Sequence, residues 1–191
     1  MDEELRSLTE RLRRESGGGP GFERLADTTD PDELADVLTA PGQSLWAREL
    51  AAFRLGLAGD RRAFEALVLL LNHRDPQRCS SAAYALARLG DPRTARAAAA
   101  LATNELRVAY ALHPVRLLVE LRAPEAVPAL ITTLQRRLRP HDPHRRVALA
   151  CVEGLGTLGD ARARTVLSEA LAHPALAEAA VHALARIPRQ R

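Results

Sequence analysis

One punctuation mark recurs along this chain and limits what it can fold into. It stands as Gly59-Asp60, Gly90-Asp91 and Gly159-Asp160, with Arg122-Ala123-Pro124 in the corresponding place between the last two. The second residues of the marks fall at 60, 91, 123 and 160, so the steps are 31, 32 and 37. Glycine takes the left-handed conformation that ends a helix. Aspartate accepts from the free N–H groups that begin the next one. Pro92 and Pro124 stand where a first helical turn tolerates proline. A helix end met at once by a new helix start is the chemistry of a tight helical hairpin. At a near-constant period it predicts units that bury their apolar faces by stacking on each other.

The columns around the marks agree. Five residues before each mark stand Leu55, Leu86, Leu118 and Leu155; nine before stand Ala51, Ala82, Pro114 and Cys151; eight before stand Ala52, Ala83, Val115 and Val152. Seven after stand Leu67, Ala98, Leu130 and Leu167, and eleven after stand Leu71, Ala102, Leu134 and Leu171. Spacings of three and four place them on one helical stripe. The spacing predicts helices over 44–58, 60–73, 76–89, 91–103, 105–121, 124–138, 143–158 and 161–172. A final half unit over 175–187 carries Ala180, Val181, Leu184 and Ile187 in the same columns. Pro114 should kink the helix that contains it. The apolar content is mainly Ala and Leu, Ile occurs only at 131 and 187, and aromatics make up 3% of the chain. Strong helix formers without β-branched richness make the expected class all-α, an α-α superhelix of about 4.5 hairpins.

At these residues the chain resembles the HEAT-repeat family, and more closely its short bilin-lyase-like repeats, whose hairpins carry Ala-Ala, Leu-Gly and Leu-Gly-Asp. Here the pattern reads Ala82-Ala83, Leu86 and Leu89-Gly90-Asp91, and again Val152, Leu155-Gly156 and Leu158-Gly159-Asp160. The resemblance covers 44–187. It implies a superhelix lined on its concave side by the second helix of each hairpin and used most often for protein–protein contact. Some relatives are bilin lyases or their chaperones, and some distant ones bind DNA. A lyase-like activity needs a pocket of Trp46, Tyr84 or Tyr110 with arginine.

Three segments are expected: a charged helical arm over 1–16, a linker with capping helices over 17–43, and the repeat domain over 44–191. The arm carries Leu5, Leu8 and Leu12 on one side, and Gly17-Gly18-Gly19 follows as a joint. Phe22 and Leu25, then Leu34, Val37 and Leu38 after the Asp30-Pro31 cap, cover the first repeat, since terminal repeats need a polar outer side. All 27 basic residues are Arg, as in a GC-rich bacterial coding preference. Residues 1–40 hold 11 acids and 5 Arg, while the remainder holds 13 acids and 22 Arg. An acidic head on a basic body points to internal pairing or to a basic surface left for a partner.

Cys79 and Cys151 lie on apolar helical stripes, so they read as packing residues and a reducing cytoplasm is expected. No apolar run is long enough to span a bilayer, and the charged N-terminus does not read as a secretory signal.

The third repeat is longer than its neighbours, and the excess carries Arg136, Arg137, Arg139, His141, His144, Arg145 and Arg146. An insertion in one repeat maps to a loop on one face, often the binding face, and guanidinium forks suit carboxylate or phosphate. Arg61, Arg62, Arg93, Arg96, Arg162 and Arg164 follow the marks. Cations at a helix start oppose its dipole, which hints at service to a partner. His141 and His144 lack the further ligands of a zinc set, and no catalytic elbow or phosphate loop occurs. No cofactor or metal is expected. The expectation is a non-catalytic scaffold that binds an acidic protein through its concave face and the 136–146 loop. Nucleic-acid binding through the arginine stripe and a lyase-like role remain as alternatives.

Overall fold

The computed structural model describes residues 3–188. Residues 1–2 and 189–191, which the expected arm and repeat domain include, lie outside the described residues. No strand occurs among the described residues, and the fold is all-α helical repeat. The chain divides into two compact units, Met1–Thr94 and Ala95–Arg191. The expected boundaries near 16 and 43 fall inside the first.

The first unit contains α1 (Glu3–Ser16), α2 (Pro20–Asp27), α3 (Pro31–Thr39), α4 (Leu45–Leu57), α5 (Phe64–Leu71) and α6 (Pro76–Leu89). A single 3-10 turn, Arg61–Ala63, leads into α5. Helices α1, α2 and α3 all pack on α4. They do so because each contributes buried apolar residues: Leu8 and Leu12, Phe22 and Leu25, and Leu34. Phe22 meets Trp46 with ring centroids 5.6 Å apart. The triple glycine thus leads into α2, which folds back beside α1.

The docking of α1 is also ionic. Glu49, on α4, is 1% exposed and accepts from the guanidinium groups of Arg11 and Arg78 and from the Ser81 hydroxyl at 3.2 Å. Arg78 reaches on to Glu15 at 2.5 Å. One buried carboxylate therefore ties α1, α4 and α6 together. A buried charge is tolerated only when paired and hydrogen-bonded, and here each member has a partner.

Helix α7 (Arg93–Ala102) crosses the division between the units. The second unit continues with a 3-10 segment, Glu105–Tyr110, and α8 (Leu112–Leu121), α9 (Ala126–Arg137), α10 (Arg145–Leu158), α11 (Arg164–Ala170) and α12 (Ala177–Arg186). Helix α10 packs against α8, α9 and α12. Gly154 and Gly156 allow it to come close. A Cβ on Gly156 would lie 2.7 Å from the Ala183 Cα of α12.

The hinges follow the expected chemistry. Gly59, Gly90, Gly159 and also Arg122 have positive φ, at 74°, 65°, 69° and 49°. After α4, the Asp60 N–H donates to the Leu55 carbonyl at 2.9 Å and the Gly59 N–H to Gly56 at 3.1 Å. This is the paired helix-end motif that satisfies the last free carbonyls. The same residue starts the next turn, since the Asp60 side chain accepts the Arg62 N–H at 3.0 Å.

Leu55, Leu86, Leu118 and Leu155 are all buried, as are Leu67, Ala98, Leu130 and Leu167. Two column assignments fail. Leu171 is 40% exposed because α11 ends at Ala170, one residue short of it. Val181 is 57% exposed because no described element covers that side of α12; Ala180, Ala183 and Ile187 are buried instead. Pro114 does not kink a single long helix. Asn104 caps a 3-10 segment, Arg107 leaves helical geometry at φ −127°, and α8 starts afresh at Leu112. Pro114 thereby sits in a first turn, where its missing N–H is not needed.

Candidate functional site

Helix α9 stops at Arg137, and Pro140 and Pro143 forbid its early resumption. Asp142 accepts the His144 N–H at 2.8 Å, a side-chain turn that precedes α10. The helix accordingly begins at Arg145, after His144, rather than at the expected residue 143. His141 holds φ at +62°.

Within this loop the arginines divide by role. Arg137 is 9% exposed and bridges Glu105 and Asp142, at 3.2 Å each. Arg136 pairs with Glu105 at 3.2 Å and donates to the Thr103 carbonyl at 2.8 Å. Both are spent on holding the loop to the turn one repeat earlier. Arg139, His141 and Arg146 are exposed, and their side chains make no hydrogen bond or ion pair among the described residues. Arg146 lies close enough to the half-buried His113 to join Arg116 in lowering its pKa, although burial is the larger cause. Arg145 makes one long contact, 3.5 Å to the Ala175 carbonyl.

That contact marks the second wall of a cleft. The turn after α11 lies one repeat further along the chain and stacks beside the loop. Together they enclose about 460 Å³. Arg139, His141, Arg145 and His173 stand around it, with Asp142 as the acid and with Ala148, Pro174 and Leu176 as apolar lining. Asp142 is already engaged by Arg137. The arrangement offers cationic donors above an apolar floor, which fits a carboxylate carried on a partly apolar segment. His173 had no functional signal in sequence. Only its position one repeat after the loop places it there. His144 is half-buried behind the loop, and its backbone N–H serves the Asp142 turn.

The arginines after the hinges sit differently. Arg62, Arg93 and Arg162 each turn back onto the aspartate two residues earlier, with Nη2 to Oδ2 distances of 2.6, 2.8 and 2.7 Å. Arg62 also reaches Asp32 at 2.7 Å. Arg164 donates to the Ile187 carbonyl at 2.8 Å, at the end of α12. Arg61 and Arg96 are exposed. Arg61 contributes to holding the Asp91 carboxyl below its ordinary pKa, after the larger effect of Arg93.

Cys151 is fully buried, and burial pushes its thiol up to about 12, which suppresses the thiolate. Among the described residues no group of three or more His, Cys, Asp or Glu side chains is placed to hold a metal ion. No described helix is long and apolar enough to cross a membrane.

Hairpins joined by left-handed hinges over buried leucine columns define an all-α helical-repeat protein. More particularly, residues 147–173 match the family model of the PBS lyase HEAT-like repeat. That segment runs from the third residue of α10 through α11 into the turn that walls the cleft. No curated protein matches the chain.

Proposed function

We propose that this protein is a non-catalytic binding module whose cleft between the 138–144 loop and the 171–176 turn receives an acidic segment of a partner protein. The observation that carries the reading is the placement of Arg139 and Arg145 over an apolar floor, with Arg139 unengaged among the described residues. A phosphate backbone fits less well. The cleft lining contains no Phe, Tyr or Trp on which a base would stack, and Arg62, Arg93 and Arg162 direct their guanidinium groups to their own cap aspartates.

The test is fluorescence anisotropy with a labelled acidic peptide containing leucine and, in parallel, a single-stranded DNA of equal charge. The peptide should bind the wild-type protein, and the double variant Arg139→Glu with Arg145→Glu should weaken it about tenfold or more, as expected for reversing charges that meet charges. Both positions are exposed, so folding is retained. Tighter binding of the DNA, with a steep loss on adding salt, would replace the protein reading with a nucleic-acid one. Equal peptide affinity in wild type and variant removes the cleft from the function.

A further inference from the structure

The cleft does not end at Arg145. A second depression, of about 560 Å³, opens on the other side of the same residue and runs between α10 and α12. Arg145 and Ala175 line both. Along α10 its wall is Arg145, Leu149 and Glu153, a stripe with a spacing of four. Along α12 it is Glu178, Ala179, His182 and Arg186. The close approach of Gly156 to Ala183 shows that the two helices run side by side, so these stripes form facing walls.

We infer that the two depressions form one binding groove for a charge-separated peptide segment. Acidic side chains sit between Arg139 and Arg145, an apolar residue lies over Leu149 and Ala179, and a basic side chain meets Glu153 and Glu178. The inference rests on the acidic-partner reading above and extends it from a single charge to an ordered pair. Glu153 and Glu178 are exposed, and their carboxylates make no hydrogen bond or ion pair among the described residues, so both are available. Arg145 and Glu153 are eight residues apart on one helix, or ~12 Å along its axis. An extended chain covers that distance in about four residues. The occupant therefore carries its acidic and basic groups about four residues apart.

The experiment uses the full chain and three labelled peptides of equal length: one with an acidic pair and a basic pair separated by four residues, a scramble of the same composition, and an all-acidic one. The separated peptide should bind about tenfold tighter than the scramble, the scale of two well-placed charge pairs. Reversing the far wall, Glu153→Arg with Glu178→Arg, should shift preference to the all-acidic peptide, a gain that damage to the fold does not produce. Equal binding of the separated and all-acidic peptides to wild type, with both lost in Arg139→Glu/Arg145→Glu, overturns this inference and leaves the acidic cleft standing. Binding unaffected by Arg139→Glu/Arg145→Glu overturns both.

Discussion

Asp91 and Arg93 hold each other twice: the Arg93 backbone N–H donates to Asp91 Oδ1 at 2.8 Å, and the guanidinium returns to the same carboxylate at 3.0 and 2.8 Å. The same closure joins Asp60 to Arg62 and Asp160 to Arg162. A cation near a helix start opposes the helix dipole; folded back on the cap, it instead fixes the carboxylate in place. Arg62, Arg93 and Arg162 thus have a structural use at the three Gly-Asp hinges. Asp91→Ala removes a cap, and a loss of about 1 kcal/mol is expected from urea unfolding with an unchanged slope. An unmoved midpoint contradicts the capping role.

The same clasps set an acid limb. The guanidinium hydrogen bonds of Arg62, Arg93 and Arg162 are the largest cause holding Asp60, Asp91 and Asp160 below the ordinary aspartate range. Their folded-state pKa is lower than their unfolded one. The stabilisation is therefore complete above the unfolded value of about 3.9 and is lost as pH falls through the folded value. Melting temperature should decline on acidification below about pH 4 to 5, where unfolded aspartates begin to take up protons. A triple Asp→Asn variant should be less stable at pH 7 and show a flatter acid limb. A parallel decline in both proteins assigns the acid sensitivity elsewhere.

Glu49 is the keystone of the α1 attachment, since Arg11 and Arg78 converge on it. Glu49→Ala takes the buried carboxylate from two cations and leaves them only more exposed acids, Glu15 for both and Asp75 for Arg78, whose side chain is 7% exposed. Breaking a buried pair from one side typically costs about 3–5 kcal/mol. Loosening of α1 should also expose Arg11, Arg13 and Arg14 to trypsin under native conditions. A variant with wild-type stability and the wild-type digestion pattern refutes this assignment.

Gly156→Ala pits two effects against each other. Alanine is favoured over glycine inside a helix by about 1 kcal/mol. The new Cβ, however, meets the Ala183 Cα at 2.7 Å and its Cβ at 2.8 Å, backbone of a neighbouring helix rather than a flexible tip. Overpacking of this kind costs about 1–3 kcal/mol. The steric term wins, so thermal denaturation should show a net loss of about 1 kcal/mol. A stabilised variant means that α12 can move away freely.

The repeat was legible because its signals are local and periodic. Gly90-Asp91 states a hinge within two residues, and Leu55, Leu86, Leu118 and Leu155 state the same burial four times. The Glu49 cluster has neither property. Its bonds span 29 to 63 residues, and its members look like ordinary surface charges until α1 folds over them. The cleft lies between. The arginine-rich excess announced a loop, but a loop alone does not show which of its cations are consumed. Glu105, 32 residues away from Arg137, takes that pair and leaves Arg139. His173 joins only through stacking of consecutive turns. At Leu171 and Val181 the periodic pattern continued past the point where packing stops, because periodicity does not record where a helix ends or where a neighbour is missing.

Arg122 occupies the one hinge without glycine. Its φ of 49° and ψ of 28° end α8 in the left-handed region, where a side chain raises the energy by roughly 1–2 kcal/mol. Its N–H still closes the helix onto the Leu118 carbonyl at 3.2 Å, so the geometry is required by the turn. The side chain is exposed and makes no hydrogen bond or ion pair among the described residues, so its removal costs little in the folded state. Glycine loosens the unfolded chain and returns about 0.4–1 kcal/mol of that gain. Arg122→Gly should therefore stabilise the protein by about 0.5–1 kcal/mol, a rise in melting temperature read by calorimetry. Arg122→Ala, which keeps a Cβ in the same conformation, should give no such rise. Equal effects of the two substitutions would place the gain in lost charge repulsion within the basic second unit rather than in the backbone.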